Sequence, residues 1–314
     1  MLAVGNRNSA TAMTILPRRR PGFSTAILFV LAALFQFIFY SIPAVAQEKS
    51  FLWKVSNEKH SIYLLGSIHY LKQEHYPLRQ PILDALDHSQ RLVLEIDLNS
   101  AKPQAAQRAT MEKAVYRDAT TLQQNIDADT YRLVGERAVQ LGIDMQVLSP
   151  MKPWFVALTL MAIKLDKLGL NHNLGVDRYL ADRAQQSGKT TSGLETLEFQ
   201  IGLLDQLSRR DQELLLKEMV RELDLLDHNI NLIVQAWLTG DRESLESSLL
   251  EGMREYPDIH QKIIVDRNRR WSAQIEKLLE QGGGAMVVVG AAHLVGTDGV
   301  VDLLKARGYK LEQQ

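Results

Sequence analysis

Two stretches of this chain end an apolar run in glycine and present a histidine three residues later. One is Tyr63-Leu64-Leu65-Gly66-Ser67-Ile68-His69; the other is Met286-Val287-Val288-Val289-Gly290-Ala291-Ala292-His293. Between them, Leu92-Val93-Leu94-Glu95 is an apolar run that ends in a carboxylate. Ligands of α/β sheets bind beyond the carboxyl ends of strands, and a glycine there lets the backbone turn without a side-chain clash. Two imidazoles and a carboxylate delivered this way can hold Zn²⁺, Mn²⁺, Co²⁺ or Fe²⁺ and leave one position for water. A bound ion would lower the pKa of that water and polarise a carbonyl. In the alternative, Glu95 is a general base and only the histidines bind metal. Taken singly, each residue has a plainer explanation. A histidine after a strand is ordinarily capped or solvated, and Glu95 could form a structural pair with an arginine. The repetition of one local pattern at both ends of the chain, with a carboxylate strand between, is what points to a site.

Other groups carry weaker signals. Asp177 opens a predicted helix, where a negative charge suits the helix dipole; a place near the site is the sharper alternative. Arg267 and Asn268 lie in a helix with Arg269 and Arg270, ordinarily a solvated face, but an arginine turned toward the sheet could orient Glu95 or bind an anionic group. His172 sits in an Asn-rich loop from which it could approach a site. His60, His75, His88, His228 and His260 read as turn, loop or exposed helix residues. The stripe Leu158, Met161, Leu165, Leu168 reads as core. No His-Glu-x-x-His zinc helix occurs, and Gly282-Gly283-Gly284 lacks the Lys-Ser/Thr of a phosphate loop.

Composition narrows the field. The 314 residues include no cysteine, which removes disulfides, thiolate catalysis and sulfur-ligated metals. Arg18-Arg19-Arg20 precede an apolar run and then Pro43-Ala44-Val45-Ala46. That is the pattern of a secretory signal peptide over residues 1–46, cleaved after Ala46. The alternative is an uncleaved anchor, although the run of about 16 residues is short for a ~20-residue span. The expected location is therefore periplasmic or secreted, with membrane contact only through the N-terminal segment. Residues 1–46 hold Arg7, Arg18, Arg19 and Arg20 and no acid, so their removal takes the formal charge from −1 to −5. An acidic chain without a dense basic patch argues against a nucleic-acid partner.

These side chains need strands to position them. Residues 51–55 and 61–65 predict a hairpin across the polar turn 56–60. Residues 91–97 and 285–289 predict buried strands, with shorter strands at 145–148, 189–193 and 309–311. Helices are expected at 77–89, through much of 101–141, at 154–168, from 176, up to about 207, at two or three places in 211–252, at 258–281 and at 300–306. Strands thus lie at both ends of residues 47–314 and helices in the middle. The expectation is a single α/β domain: a mixed sheet built from both ends of the chain, with a helical segment between.

The ordered set Leu52-Trp53-Lys54-Val55, Gly66-Ser67-Ile68-His69, Leu94-Glu95, Gly175-Val176-Asp177, Leu194-Glu195-Thr196-Leu197-Glu198, Asp266-Arg267-Asn268 and Gly290-Ala291-Ala292-His293 resembles the TraB/GumN family, which includes the Tiki-type metalloproteases. The resemblance spans residues 51–311. It implies a fold like that of erythromycin esterase and the haem-binding ChaN proteins. It also implies a divalent-metal-dependent protease, with manganese or cobalt favoured. Metal or catalytic positions carry over to His69, Glu95 and His293, and further motif positions to Asp177, Arg267 and Asn268. The expected activity is hydrolysis of a peptide or other small substrate at an amide bond by metal-activated water. The alternatives are a periplasmic haem- or metal-binding protein without catalysis, and a metal-free esterase-like hydrolase.

Overall fold

The computed structural model describes residues 49–99 and 103–314. The expected signal peptide, residues 1–46, lies outside them. Six strands, β1 (Leu52–Ser56), β2 (Ser61–Ser67), β3 (Arg91–Leu94), β4 (Thr190–Gly193), β5 (Ala285–Gly290) and β6 (Lys310–Gln313), form one mixed sheet in the order β4-β3-β5-β2-β1-β6. The predicted hairpin is present, with Leu52 opposite Leu65 and Ser56 opposite Ser61. β4, β3, β5 and β2 run parallel, while β1 is antiparallel to both β2 and β6. β3 and β5, inside the parallel part, are buried on both faces, which is why they are apolar at successive rather than alternate positions, whereas the edge strand β4 is polar and largely exposed. Leu92, Val93 and Leu94 and all of Ala285–Val289 are buried. β5 lies between β2 and β3, with Ser67 opposite Gly290 and Leu94 opposite Val288. The two Gly-x-x-His turns are therefore neighbours, and all four parallel strands end on one edge of the sheet.

The helices are α1 (Gln80–Asp87), α2 (Pro103–Ala114), α3 (Leu122–Asn125), α4 (Ala128–Leu141), α5 (Met145–Leu148), α6 (Pro153–Lys167), α7 (Val176–Gln186), α8 (Leu197–Asp205), α9 (Arg209–Glu222), α10 (Leu226–Thr239), α11 (Arg242–Arg254), α12 (Pro257–His260), α13 (Asp266–Gln281) and α14 (Val300–Ala306). The sheet core takes apolar faces from α1, α7, α10, α11, α13 and α14, including Leu86, Leu180, Trp237, Leu245, Trp271 and Val301. The middle helices build a second core of their own around Leu122, Val134, Leu148, Leu160, Leu216 and Val220.

Three expectations need correction. Residues 145–148 form the single turn α5 rather than a strand. Asp144 accepts a hydrogen bond from the Gln146 amide, an N-cap that a strand would not use. The stripe Leu158, Met161, Leu165, Leu168 is only partly core: Leu165 is buried and Met161 packs half-buried against the second core. Leu158 is 41% exposed, whereas Trp154, Val156, Ala157, Leu160 and Leu165 are buried. A helix apolar nearly all round gives no periodic signal that picks its buried face. Finally, residues 258–281 are not one regular helix: a π-helical segment, Gln261–Val265, separates α12 from α13. The predicted stop holds, because Gly282, Gly283 and Gly284 all adopt positive φ and turn the chain back into β5.

Candidate functional site

Each parallel strand delivers one titratable side chain to the same edge. His69 follows β2, Glu95 follows β3, Glu195 follows β4 and His293 follows β5. Gly290 sits among them. A Cβ built on it would lie 3.2 Å from Glu95 Oε1, 3.3 Å from His69 Nε2 and 3.7 Å from His293 Cδ2. The absence of a side chain at that strand end lets three groups from three strands share one small space.

Each imidazole has one nitrogen fixed from behind. His69 Nδ1 is 3.1 Å from Asp177 Oδ1. Asp177 reaches it from the first turn of α7, whose entry is held by the Val176 amide on the Ile68 carbonyl at 3.0 Å. Gly175 permits this approach, since a Cβ there would stand 2.5 Å from the His69 carbonyl oxygen. His293 Nδ1 donates to Asn268 Oδ1 at 2.7 Å. The Asn268 amide is oriented by its Nδ2 donating to the Asp298 carbonyl at 2.8 Å, which fixes Oδ1 as the acceptor and His293 as the Nδ1–H tautomer. His293 Nε2 then accepts from Arg267 Nη1 at 3.1 Å.

Arg267 is the hub. Its Nη2 donates to Glu95 Oε2 at 2.6 Å and to Glu195 Oε1 at 2.5 Å, and its Nε donates to Glu195 Oε1 at 2.9 Å. The guanidinium also lies 4.5 Å from the centre of the Trp271 ring. Gln200 Nε2 bridges Glu95 and Glu195 at 2.9 and 3.0 Å, Trp271 Nε1 donates to Glu195 Oε2 at 3.2 Å, and the Gly290 amide donates to Glu95 Oε1 at 2.7 Å. The run Arg267-Asn268-Arg269-Arg270 therefore divides. Arg267 and Asn268 are buried at the site, while Arg269 and Arg270 point outward.

Protonation follows from these contacts. Burial pushes the Glu95 carboxyl up, but charges on His293, Arg267 and His69, with the Gly290 amide, pull it down to about 2. Burial, with Arg267 and His69 adding to it and Glu95 opposing, holds His293 down at about 3. His293 is therefore neutral at pH 7, and there the pull on Glu95 comes from Arg267, His69 and Gly290. Burial also opposes a charge on His69, but the Asp177 hydrogen bond and charge, then Glu95, outweigh it and lift the ring to about 9. The His69 side chain is 54% exposed, so water softens every one of these influences. The upward direction rests on the direct contact with Asp177.

Two cavities flank the site and share Ser67, His69, Tyr70 and Glu95. One, of about 390 Å³, also carries His172, Asn173, Asp177, Arg178 and Gln200. The other, of about 300 Å³, is walled by Ile68, Leu165, Ile230, Ile233, Leu249 and Ala292. Ser67 is buried between them, and its Oγ makes no hydrogen bond among the described residues.

The structure thus brings together His69, Glu95, His293, Asp177, Arg267 and Asn268, and places His172 on a cavity wall. Glu195 and Gln200 were missed as site residues. Glu195 resembles Glu95 in following the end of a short strand, two residues after β4 where Glu95 comes directly after β3, and that was its available signal. By donor type and tautomer the set suits a divalent ion: two imidazoles with Nδ1 held by oxygen acceptors and a carboxylate, around a space that a Cβ would fill. In the arrangement seen, Arg267 supplies the positive charge between Glu95 and His293. No three His, Asp or Glu side chains among the described residues stand at ligand spacing.

An α/β sheet with two histidines and a glutamate on its carboxyl edge defines the class. Comparison with known proteins then gives the family: the model of the TraB/PrgY/gumN family matches residues 51–313, and the chain belongs to that family. It is 26% identical to the uncharacterized protein YbaP of Shigella flexneri over 253 residues, 79% of this chain and 88% of that protein. Against the uncharacterized protein YbaP of Escherichia coli K12 the identity is also 26%, over 77% of this chain and 87% of that one. An uncharacterized protein of Treponema pallidum is 21% identical over 85% of this chain and 84% of its own length. No solved structure matches the chain. Among the described residues no helix is long and apolar enough to cross a membrane.

Proposed function

We propose that this chain is an exported hydrolase of peptide or amide bonds that uses a divalent metal ion, manganese or cobalt by preference, at His69, Glu95 and His293. The observation that carries the reading is the pairing of each histidine with an oxygen acceptor on Nδ1, Asp177 for one and Asn268 for the other. Partners of this kind orient the ring, so that an ion would take Nε2 by displacing the proton of His69 and the Arg267 hydrogen bond on His293. A bound ion would lower the pKa of water and polarise the scissile carbonyl. Glu95, ionised at neutral pH, would either ligate the ion or, with only the histidines as ligands, take the proton from the attacking water. Glu195 holds Arg267 by Nε and Nη2, so the guanidinium stays beside the site when Nη1 leaves His293. Export rests on the basic, apolar and Ala-x-Ala pattern of residues 1–46.

The test is metal content by mass spectrometry on chain expressed from the full sequence and purified without a histidine tag, beside His69→Ala/His293→Ala. About one equivalent in the wild type and none in the variant is expected. No metal in either protein after reconstitution would refute the reading. A second reading, a metal-free acid–base hydrolase, is favoured by one contact: Arg267 already donates to both Glu95 and His293. Turnover unaffected by chelator would select it.

A further inference from the structure

The shape of the cleft says what kind of substrate the site takes, and this inference rests on the hydrolase reading. The two cavities meet at Ser67, His69, Tyr70 and Glu95. A molecule whose reacting bond lies there has room to extend to both sides. On one side it meets the polar groups Asn173, Asp177, Arg178 and Gln200. On the other it meets a wall of aliphatic side chains from α10 and α11, namely Ile230, Ile233 and Leu249, with Leu165 of α6 beside them. At the junction the buried Ser67 Oγ has no partner among the described residues. A buried hydroxyl left without a hydrogen bond is costly, and a substrate amide or carbonyl group satisfies it.

Leu249 also lines a further cavity, of about 400 Å³, between α9 and the α11–α12 region. Met219 and Met253 line it together with Glu218, Glu222 and Glu255. Glu218 is paired with Arg221 at 2.7 Å. Glu222 and Glu255 are exposed and form no ion pair among the described residues. Beyond the aliphatic wall, then, lies a surface that complements positive charge.

We propose that the substrate is an extended peptide. It seats a bulky aliphatic side chain against Ile230, Ile233 and Leu249 beside the reacting bond, hydrogen-bonds Ser67, and directs a basic residue farther along toward Glu222 and Glu255. Main-chain polar groups on the other side of the bond meet the Asn173 and Arg178 arm. The aliphatic wall disfavours charged side chains seated against it, because a charge there loses its water, and the arginine of that cavity, Arg267, is already paired with Glu95 and Glu195.

The test measures binding apart from cleavage. N-acetylated octapeptides built on a glycine–serine background carry Leu, Ala or Asp at one position and Lys or Glu at a later one. Their affinity for the Glu95→Gln chain is read by saturation-transfer NMR, and their cleavage by the wild type by mass spectrometry. Leu should bind at least about tenfold tighter than Ala, the scale of discrimination an apolar pocket gives, and Asp should bind more weakly still. Lys should be preferred to Glu at the later position, and Glu222→Lys/Glu255→Lys, both on the surface, should reverse that preference. Ile233→Asp should remove the preference for Leu; if it does not fold, Leu249→Ala replaces it. Equal affinities across the set, no binding of any peptide, or an unreversed charge preference would overturn the proposal. Selective binding without cleavage would leave the subsites standing and remove the hydrolase reading. Cleavage without selectivity would do the opposite.

Discussion

Replacing Arg267 by Met tests the core of the reasoning. The guanidinium lies between two carboxylates whose side chains are 14% and 6% exposed, and its own side chain is 7% exposed. Met fills much of the same volume but donates no hydrogen bond. Glu95 then keeps Gln200 and the Gly290 amide, and Glu195 keeps Gln200 and Trp271. Neither has a cation left in direct contact. Removing one partner of a buried pair costs about 3–5 kcal/mol, because a charge stays behind in a poorly solvated place. For a domain of this size that is a fall in Tm of roughly 6–20 °C. The assay is thermal and urea unfolding of wild type, Arg267→Met and Arg267→Met/Glu195→Met at pH 7. The double variant should regain part of the loss, since it buries one charge fewer. A deficit below about 1 kcal/mol, the scale of an exposed pair, would refute the claim that Arg267 holds two buried carboxylates in place.

Three further outcomes follow from the same geometry. Stability should fall in acid in two overlapping windows: from about pH 6.5 to 3, where the unfolded chain protonates His293 and the folded chain does not, and from about 4.5 to 2, where Glu95 loses its charge. A urea midpoint unchanged between pH 7 and pH 3 would contradict this. His69 works in the other direction, adding stability below about 6.5 that is lost as pH rises through about 9; Asp177→Asn should lower the His69 midpoint in an NMR titration and remove that alkaline loss. Gly290→Ala should fold, because Gly290 has φ −54°, a value any residue adopts. Its methyl would crowd Glu95 and His69, and turnover should drop by about 100-fold, the cost of misplacing reacting groups by about an ångström; activity within threefold of wild type would show that the space beside Gly290 is not used.

The sequence by itself determined the frame. Runs such as Leu92–Leu94 and Met286–Val289 are apolar at every position, a pattern that a strand buried on both faces requires, so the sheet was legible. Gly290 followed by His293, and Gly66 by His69, announced turns at strand ends, because glycine there frees space that any side chain would fill. Asp266-Arg267-Asn268 could be read as a helix segment, but not which of its members faced inward. Tertiary structure alone decided that β5 inserts between β2 and β3, since pairing of parallel strands is set by long-range packing and leaves no mark of neighbour order in the chain. That insertion makes His69, Glu95 and His293 meet. It likewise decided that Glu195, which reads as an ordinary helix-leading acid, is the buried anchor of Arg267. A carboxylate's burial depends on what covers it, and the cover, Trp271 and Gln200, comes from helices that are remote in sequence or set at an angle no periodicity specifies. The aliphatic wall beside the site has the same origin. Ile230, Ile233 and Leu249 look like the core face of any amphipathic helix, and only the packing of α10 and α11 over the sheet edge leaves them lining a cavity.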